Sequence, residues 1–241
     1  MIRHVSLGIV SALCLCAAPA YASTMTVSFS SGEHSAMAEF TFSDAGGGNA
    51  NLSITLTNTM ASESTVDARW LTGLYFDING SPDLSVSGVD ADLRWGDENN
   101  SNTIDYTAAQ FWAFRGDIAS GELPFGSQQY GLSAVGAGVF NGDDMIELGG
   151  PHPQPNGPDG GVLADGASSP NGHDNRLFMD GSVTFDFFLA GFDYNDGVIS
   201  NVAFHFGSSF DEVILLIPLP APVGMGLLGL LGVAVARRRL A

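Results

Sequence analysis

The sequence predicts an all-β protein: an antiparallel β-sandwich of jelly-roll-like arrangement, flanked by an N-terminal signal helix and a C-terminal hydrophobic helix. Three observations carry the prediction. Apolar residues recur at period two, with Ser, Thr or Asn between them. Gly, Asn, Asp and Pro punctuate those runs at short intervals. No stretch of the body carries the 3.6-residue apolar stripe of a packed helix, so sheet-on-sheet is the layer solution left.

The elements follow in order. Met25, Val27 and Phe29 alternate with Thr26 and Ser28, then Ala36, Ala38, Phe40 and Phe42 do the same. The stretch SDAGGGNA is a turn, and 51–59, with Leu52, Ile54 and Leu56 inward, is the clearest strand. Leu71 to Ile78 is a further strand ending at NGSP, Leu84 to Ser87 a short one, and DLRW a short edge. Residues 108–114 are too few for periodicity to separate a helical turn from a strand. YGLSAVGAGVF reads as a strand with bends. Residues 141–176, dense in Gly, Pro, Asp and Asn, are expected to form one long loop. Val183, Phe185 and Phe187 mark the next strand, and Val202, Phe204 and Phe206 another. These two are expected to pair through a turn at DYNDG, with His205 facing solvent.

The ends carry addresses rather than chemistry. Arg3 precedes an apolar run from Val5 to Ala18, then APAYAS; Ala20 and Ala22 form the small-x-small pair before Ser23. That layout predicts a secretory signal over 1–22, cleaved after Ala22. The two cysteines, Cys14 and Cys16, fall inside it, so the exported body (23–212) would hold no disulfide, thiol nucleophile or Cys-ligated zinc. The C-terminal segment, 213–241, is almost wholly apolar up to three arginines. Pro218, Pro220 and Pro222 break its first third, leaving Val223 to Ala236 as the continuous helical part. Gly226, Gly229 and Gly232 space a small-residue face along it. Arg237, Arg238 and Arg239 would hold its end on the cytoplasmic side.

Taken together, the signal, the IPLPAP element (Ile217, Pro218, Leu219, Pro220, Ala221, Pro222), the Gly/Leu-rich helix and the terminal Arg cluster resemble the PEP-CTERM class of sorting signals, in its VPLPA-type variant. Ile217 stands where that variant has Val. The resemblance covers about a tenth of the chain. It implies handling by signal peptidase and by an exosortase, a membrane-embedded protease or transpeptidase. It also implies a surface or matrix protein of a Gram-negative bacterium that makes exopolysaccharide, anchored only transiently by its tail. AEFTFSDAGGGNANLSITLTNT followed by LTGLYFDING is similar to the N-terminal part of exosortase-dependent surface proteins of unknown function.

Charge narrows the function classes. The chain carries 26 acids and 8 basic residues, net −18. Four of those arginines lie in the terminal signals, so the body sets 4 arginines against 26 acids. Such a surface excludes nucleic-acid binding and favours divalent cations. Disorder is unlike a body with 16 Phe and 3 Trp in alternating runs.

No catalytic constellation stands out. His34, His152, His173 and His205 make no metal spacing, and no nucleophile elbow, P-loop or dinucleotide fingerprint is present. Carboxylate pairs such as Asp90/Asp92 and Asp211/Glu212 are too common in this chain to mark a glycosidase. Calcium is the stronger candidate, through loop oxygens of Asp97, Asn99, Asp143, Asp144, Asp193 and Asp196, though Asp and Asn suit tight turns without any metal. Trp70, Trp95 and Trp112 could stack on sugars, but each is more in keeping with a core position. The expectation is therefore a non-enzymatic, adhesive or structural matrix protein. A calcium-dependent carbohydrate-binding module stands second and a polysaccharide hydrolase third.

Overall fold

The computed structural model describes residues 22–60, 69–95, 107–124, 126–135, 146–147, 160–164, 177–207 and 213–217. Its described residues are all-β, in two predominantly antiparallel sheets. The strands are β1 (Ala22–Ser31), β2 (His34–Gly46), β3 (Asn49–Asn58), β4 (Leu71–Ile78), β5 (Leu84–Asp90), β6 (Leu93–Trp95), β7 (Ala113–Arg115), β8 (Tyr130–Ser133), β9 (Ile146–Glu147), β10 (Val162–Leu163), β11 (Leu177–Asp180), β12 (Ser182–Leu189), β13 (Ile199–Phe206) and β14 (Val213–Ile217). Short 3-10 turns occupy Ala108–Phe111 and Tyr194–Asp196.

The first sheet runs β1-β2-β3-β12-β5. Its period-two pattern does what the sequence predicts. Along β3, Leu52, Ile54 and Leu56 are buried and the residues between them are not. Two turns explain two glycine-bearing stretches. Gly32, at φ +60°, opens the two-residue turn between β1 and β2. Gly46, Gly47 and Gly48 all take positive φ between β2 and β3, a path that side-chain-bearing residues rarely follow. The Asp44 carboxylate accepts the Gly46 N–H there at 2.7 Å, which fixes the entry to the turn.

The second sheet is built around β4, flanked on one side by β13 and β14 and on the other by β8-β7-β9 and β10-β11-β6. The inward rings of the two sheets meet. Phe40 lies 5.4 Å edge-on from Phe76, Trp112 5.1 Å from Phe185, and Phe114 4.9 Å from Phe187. One shared cluster holds buried residues of both sheets, each large side chain worth about 1.5–3 kcal/mol of burial. The Trp112 indole N–H donates to Gly160 O at 2.9 Å, so its one polar atom is satisfied inside the core.

Three expectations are corrected, and one open choice is settled. β12 and β13 do not pair: β12 joins β3 and β5, whereas β13 joins β4 and β14 in the other sheet. The nine residues 190–198 exceed a tight hairpin loop, and they carry Phe192 against Phe42 as the chain passes between sheets. His205 is fully buried. On the outer face of β4 and β13, Ile118 and Leu123 pack with Tyr75, Ala203 and Ala113 of β7, so part of that face is apolar too. The stretch 141–176 is not one loop. It contains β9 and β10, and Val162, Leu163 and Ala164 are buried. β10 pairs β11 in parallel, the exception to the antiparallel pattern. Residues 108–114 are both things at once, a 3-10 turn and then β7.

Of the terminal segments, Ala22 and Ser23 open β1, pairing with Ser43 and Phe42. Ile217 closes β14, pairs with Val202 and is buried. The boundary drawn before residue 213 therefore falls at the start of a strand. Ala20, residues 218–222 and the three terminal arginines lie outside the described residues, as do the expected signal and hydrophobic helices.

Candidate functional site

Sheet register brings one polar cleft together at the turn end of β1 and β2. Its volume is about 250 Å³, and it is lined by Glu33, His34, Ser35, Thr59, Met60 and Arg69. Glu33 comes from the two-residue turn, and Arg69 from the segment entering β4. Their ion pair closes at 2.6 Å, with Glu33 mostly exposed. Such a pair contributes at most about 1 kcal/mol to stability. Its planar guanidinium and carboxylate instead offer paired donors and acceptors to a ligand.

The opposite wall is hydroxyl-lined. Ser35 Oγ donates to Phe29 O at 3.2 Å and meets Thr59 Oγ1 at 2.7 Å. Because Ser35 has one hydroxyl proton and directs it to Phe29 O, Thr59 is the donor in the second bond. Thr59 N–H donates in turn to Ser35 O at 3.1 Å, tying the end of β3 to β2. The His34 ring stands edge-on to Phe206, with centroids 5.0 Å apart. The hydroxyls, the ion pair and the imidazole together make the cleft polar. Its chemistry suits a small hydroxyl-bearing molecule.

The other candidates separate in space. Asp193 and Asp196 share the 3-10 turn, where Asp193 Oδ1 accepts the backbone N–H of Asn195 at 2.9 Å and its amide at 2.8 Å. Those Asn195 donors hold the Asp193 carboxyl below the usual carboxylate range. This is a turn cap. Asp97, Asn99, Asp143 and Asp144 lie outside the described residues. Among the described residues no group of three His, Asp or Glu converges on one point. Trp70 and Trp112 are buried core residues, not platforms, while the Trp95 side chain is outside the description.

His205 has a structural partner. Thr72 Oγ1 donates to Gly207 O at 2.8 Å and lies 2.9 Å from His205 Nδ1. With the Thr72 proton directed at the carbonyl, Nδ1 carries the hydrogen and donates to Thr72.

All three arginines among the described residues are ion-paired: Arg69 with Glu33, Arg94 with Asp180 and Arg115 with Glu122. Glu122 also accepts the Ala119 N–H, and that bond first, then Arg115, holds its carboxyl low. Among the described residues, then, each arginine is matched by a carboxylate. Comparison with protein-family models, curated proteins and solved structures gives no match. Sequence reasoning missed the cleft because its residues come from three separate segments, and only the β1–β2 turn could have been foreseen.

Proposed function

We propose that this chain is an exported cell-surface or extracellular-matrix protein with a non-enzymatic, structural or adhesive role in an exopolysaccharide layer. In this reading signal peptidase cuts after Ala22, an exosortase-type membrane protease processes the tail, and the body, a jelly-roll-like β-sandwich, remains outside the cell. The observation that carries the reading is the order of parts from Ile217 to Arg239: a Pro-bearing motif, a Gly-spaced apolar run and an arginine stop. Its position relative to the fold supports it. Ile217 is the last residue of β14, so processing among Pro218 to Pro222 leaves every described strand whole.

Replacing Pro218 and Pro220 together by Ala in the producing cell tests this. The expected outcome is accumulation of an unprocessed chain in the membrane fraction. Release of the variant to the surface at the normal size and yield contradicts the reading.

A second reading, a calcium-dependent carbohydrate-binding module, is favoured by the cleft, whose volume of about 250 Å³ and hydroxyl and ion-pair lining suit one sugar ring. Calcium in that reading would be held by Asp97, Asn99, Asp143 and Asp144 rather than by Asp193.

A further inference from the structure

The cleft beside the β1–β2 turn has walls that hold their shape without a ligand. Asn58 is the hub beneath it. This buried carboxamide donates to Arg69 O at 3.1 Å and to Val162 O at 2.9 Å, and it accepts the Met60 N–H at 3.3 Å. The backbones that carry Met60 and Arg69 are thereby fixed to one another and to β10. Met60 packs on the cluster of Trp70, Leu163 and Phe178, which keeps it from collapsing into the space. The turn through Gly32, at φ +60°, sets Glu33 against Arg69. We propose that this cleft is a calcium-independent binding site for one neutral sugar residue, held through two neighbouring hydroxyls by the Glu33–Arg69 pair. The proposal rests on the carbohydrate-binding reading of the cleft and dispenses with the calcium.

The ion pair has capacity to spare. Its 2.6 Å contact uses one guanidinium nitrogen and one carboxylate oxygen, and both groups can make several further bonds. Glu122, by contrast, also takes the Ala119 N–H beside its arginine, whereas Glu33 is 69 % exposed and open to a further donor. Neighbouring hydroxyls on a sugar ring match such a pair. One oxygen accepts from the guanidinium, the other hydroxyl donates to the carboxylate, and both bonds are charge-assisted. Thr59 Oγ1, whose proton goes to Ser35, keeps lone pairs for a third hydroxyl. The apolar stem of Met60 offers the contact for the C–H face of the ring.

Charge selects a neutral ligand. The pair sums to zero, and a chain of net charge −18 opposes the approach of an anionic sugar. Calcium is poorly served here. Glu33 is the one carboxylate in the lining, and the Arg69 cation already lies against it, whereas calcium takes about 6–8 oxygens. The volume of about 250 Å³ falls below the roughly 300–1,000 Å³ of sites for larger ligands, so it accommodates one ring.

Ligand-observed NMR on the full chain in a sugar-free detergent tests the proposal, with the methyl glycosides of glucose, mannose and galactose as probes. At least one is expected to bind, equally well with and without excess EDTA, and more tightly than glucuronate. Glu33→Gln and Arg69→Gln are each expected to weaken that binding about tenfold or more, with native circular dichroism kept. Binding abolished by EDTA overturns the proposal and leaves the calcium-dependent module standing. No binding of any probe, with or without added calcium, removes both. Binding unchanged in both variants places the sugar elsewhere, and tighter binding of glucuronate contradicts the neutral preference; either result overturns the proposal.

Discussion

Thr72 shows how much one hydroxyl can fix. It bridges His205 Nδ1 and Gly207 O inside the second sheet, so a side chain that alternation would send to solvent is held in apolar surroundings. Thr72→Val keeps the shape and deletes both bonds, leaving a buried imidazole N–H and a carbonyl without that partner. The expected loss is about 1–3 kcal/mol, read from the shift of the urea midpoint. A midpoint unchanged from the parent would mean that the bridge is not needed. Tyr75 and Tyr130 give a pH signature. Burial pushes both phenols well above their ordinary value, and Asp117, Asp83 and Asp77 push Tyr130 further. A raised folded pKa favours the neutral form, so this stability is complete below about pH 10, the unfolded phenol value, and is lost as pH rises beyond it. Thermal scans should show a falling midpoint above that pH, and a Tyr130→Phe variant should fall less. Equal alkaline sensitivity of parent and variant would remove Tyr130 from the account.

At the scale of elements, legibility tracks how each strand is buried. Strands with one wet face, β2, β3 and β12, announce themselves by alternation, and their inward residues were readable one by one. β4 is buried on both faces, so its apolar run gave the strand but not the layer of Ile118 and Leu123 that covers it. His205 was misplaced because alternation does not show that its bond to Thr72 is buried within the sheet. β10 was missed because two residues cannot show a period, although Val162, Leu163 and Ala164 were an apolar island in a polar stretch. The β12–β13 hairpin failed for a different reason: both strands carry an inward aromatic face, and alternation does not say which sheet receives it.

Over the whole molecule, the described body is two aromatic-cored sheets whose described arginines are each ion-paired, in a chain of net charge −18. A charge of that size makes separate copies repel one another and leaves the small polar cleft as the candidate point of contact. All-β architecture was legible because periodicity is local. The cleft was not, because it is made by register between distant segments. The claim on which the rest depends is that the tail is an address that is removed. The most direct test is the intact mass of the form on the surface of the producing cell, with both terminal peptides sequenced. The account predicts a chain beginning at Ser23 and ending between Ile217 and Pro222, or bearing an added mass there, with β14 complete. A surface form that still ends in Arg237 to Ala241 would contradict it and make the body a permanently tethered domain.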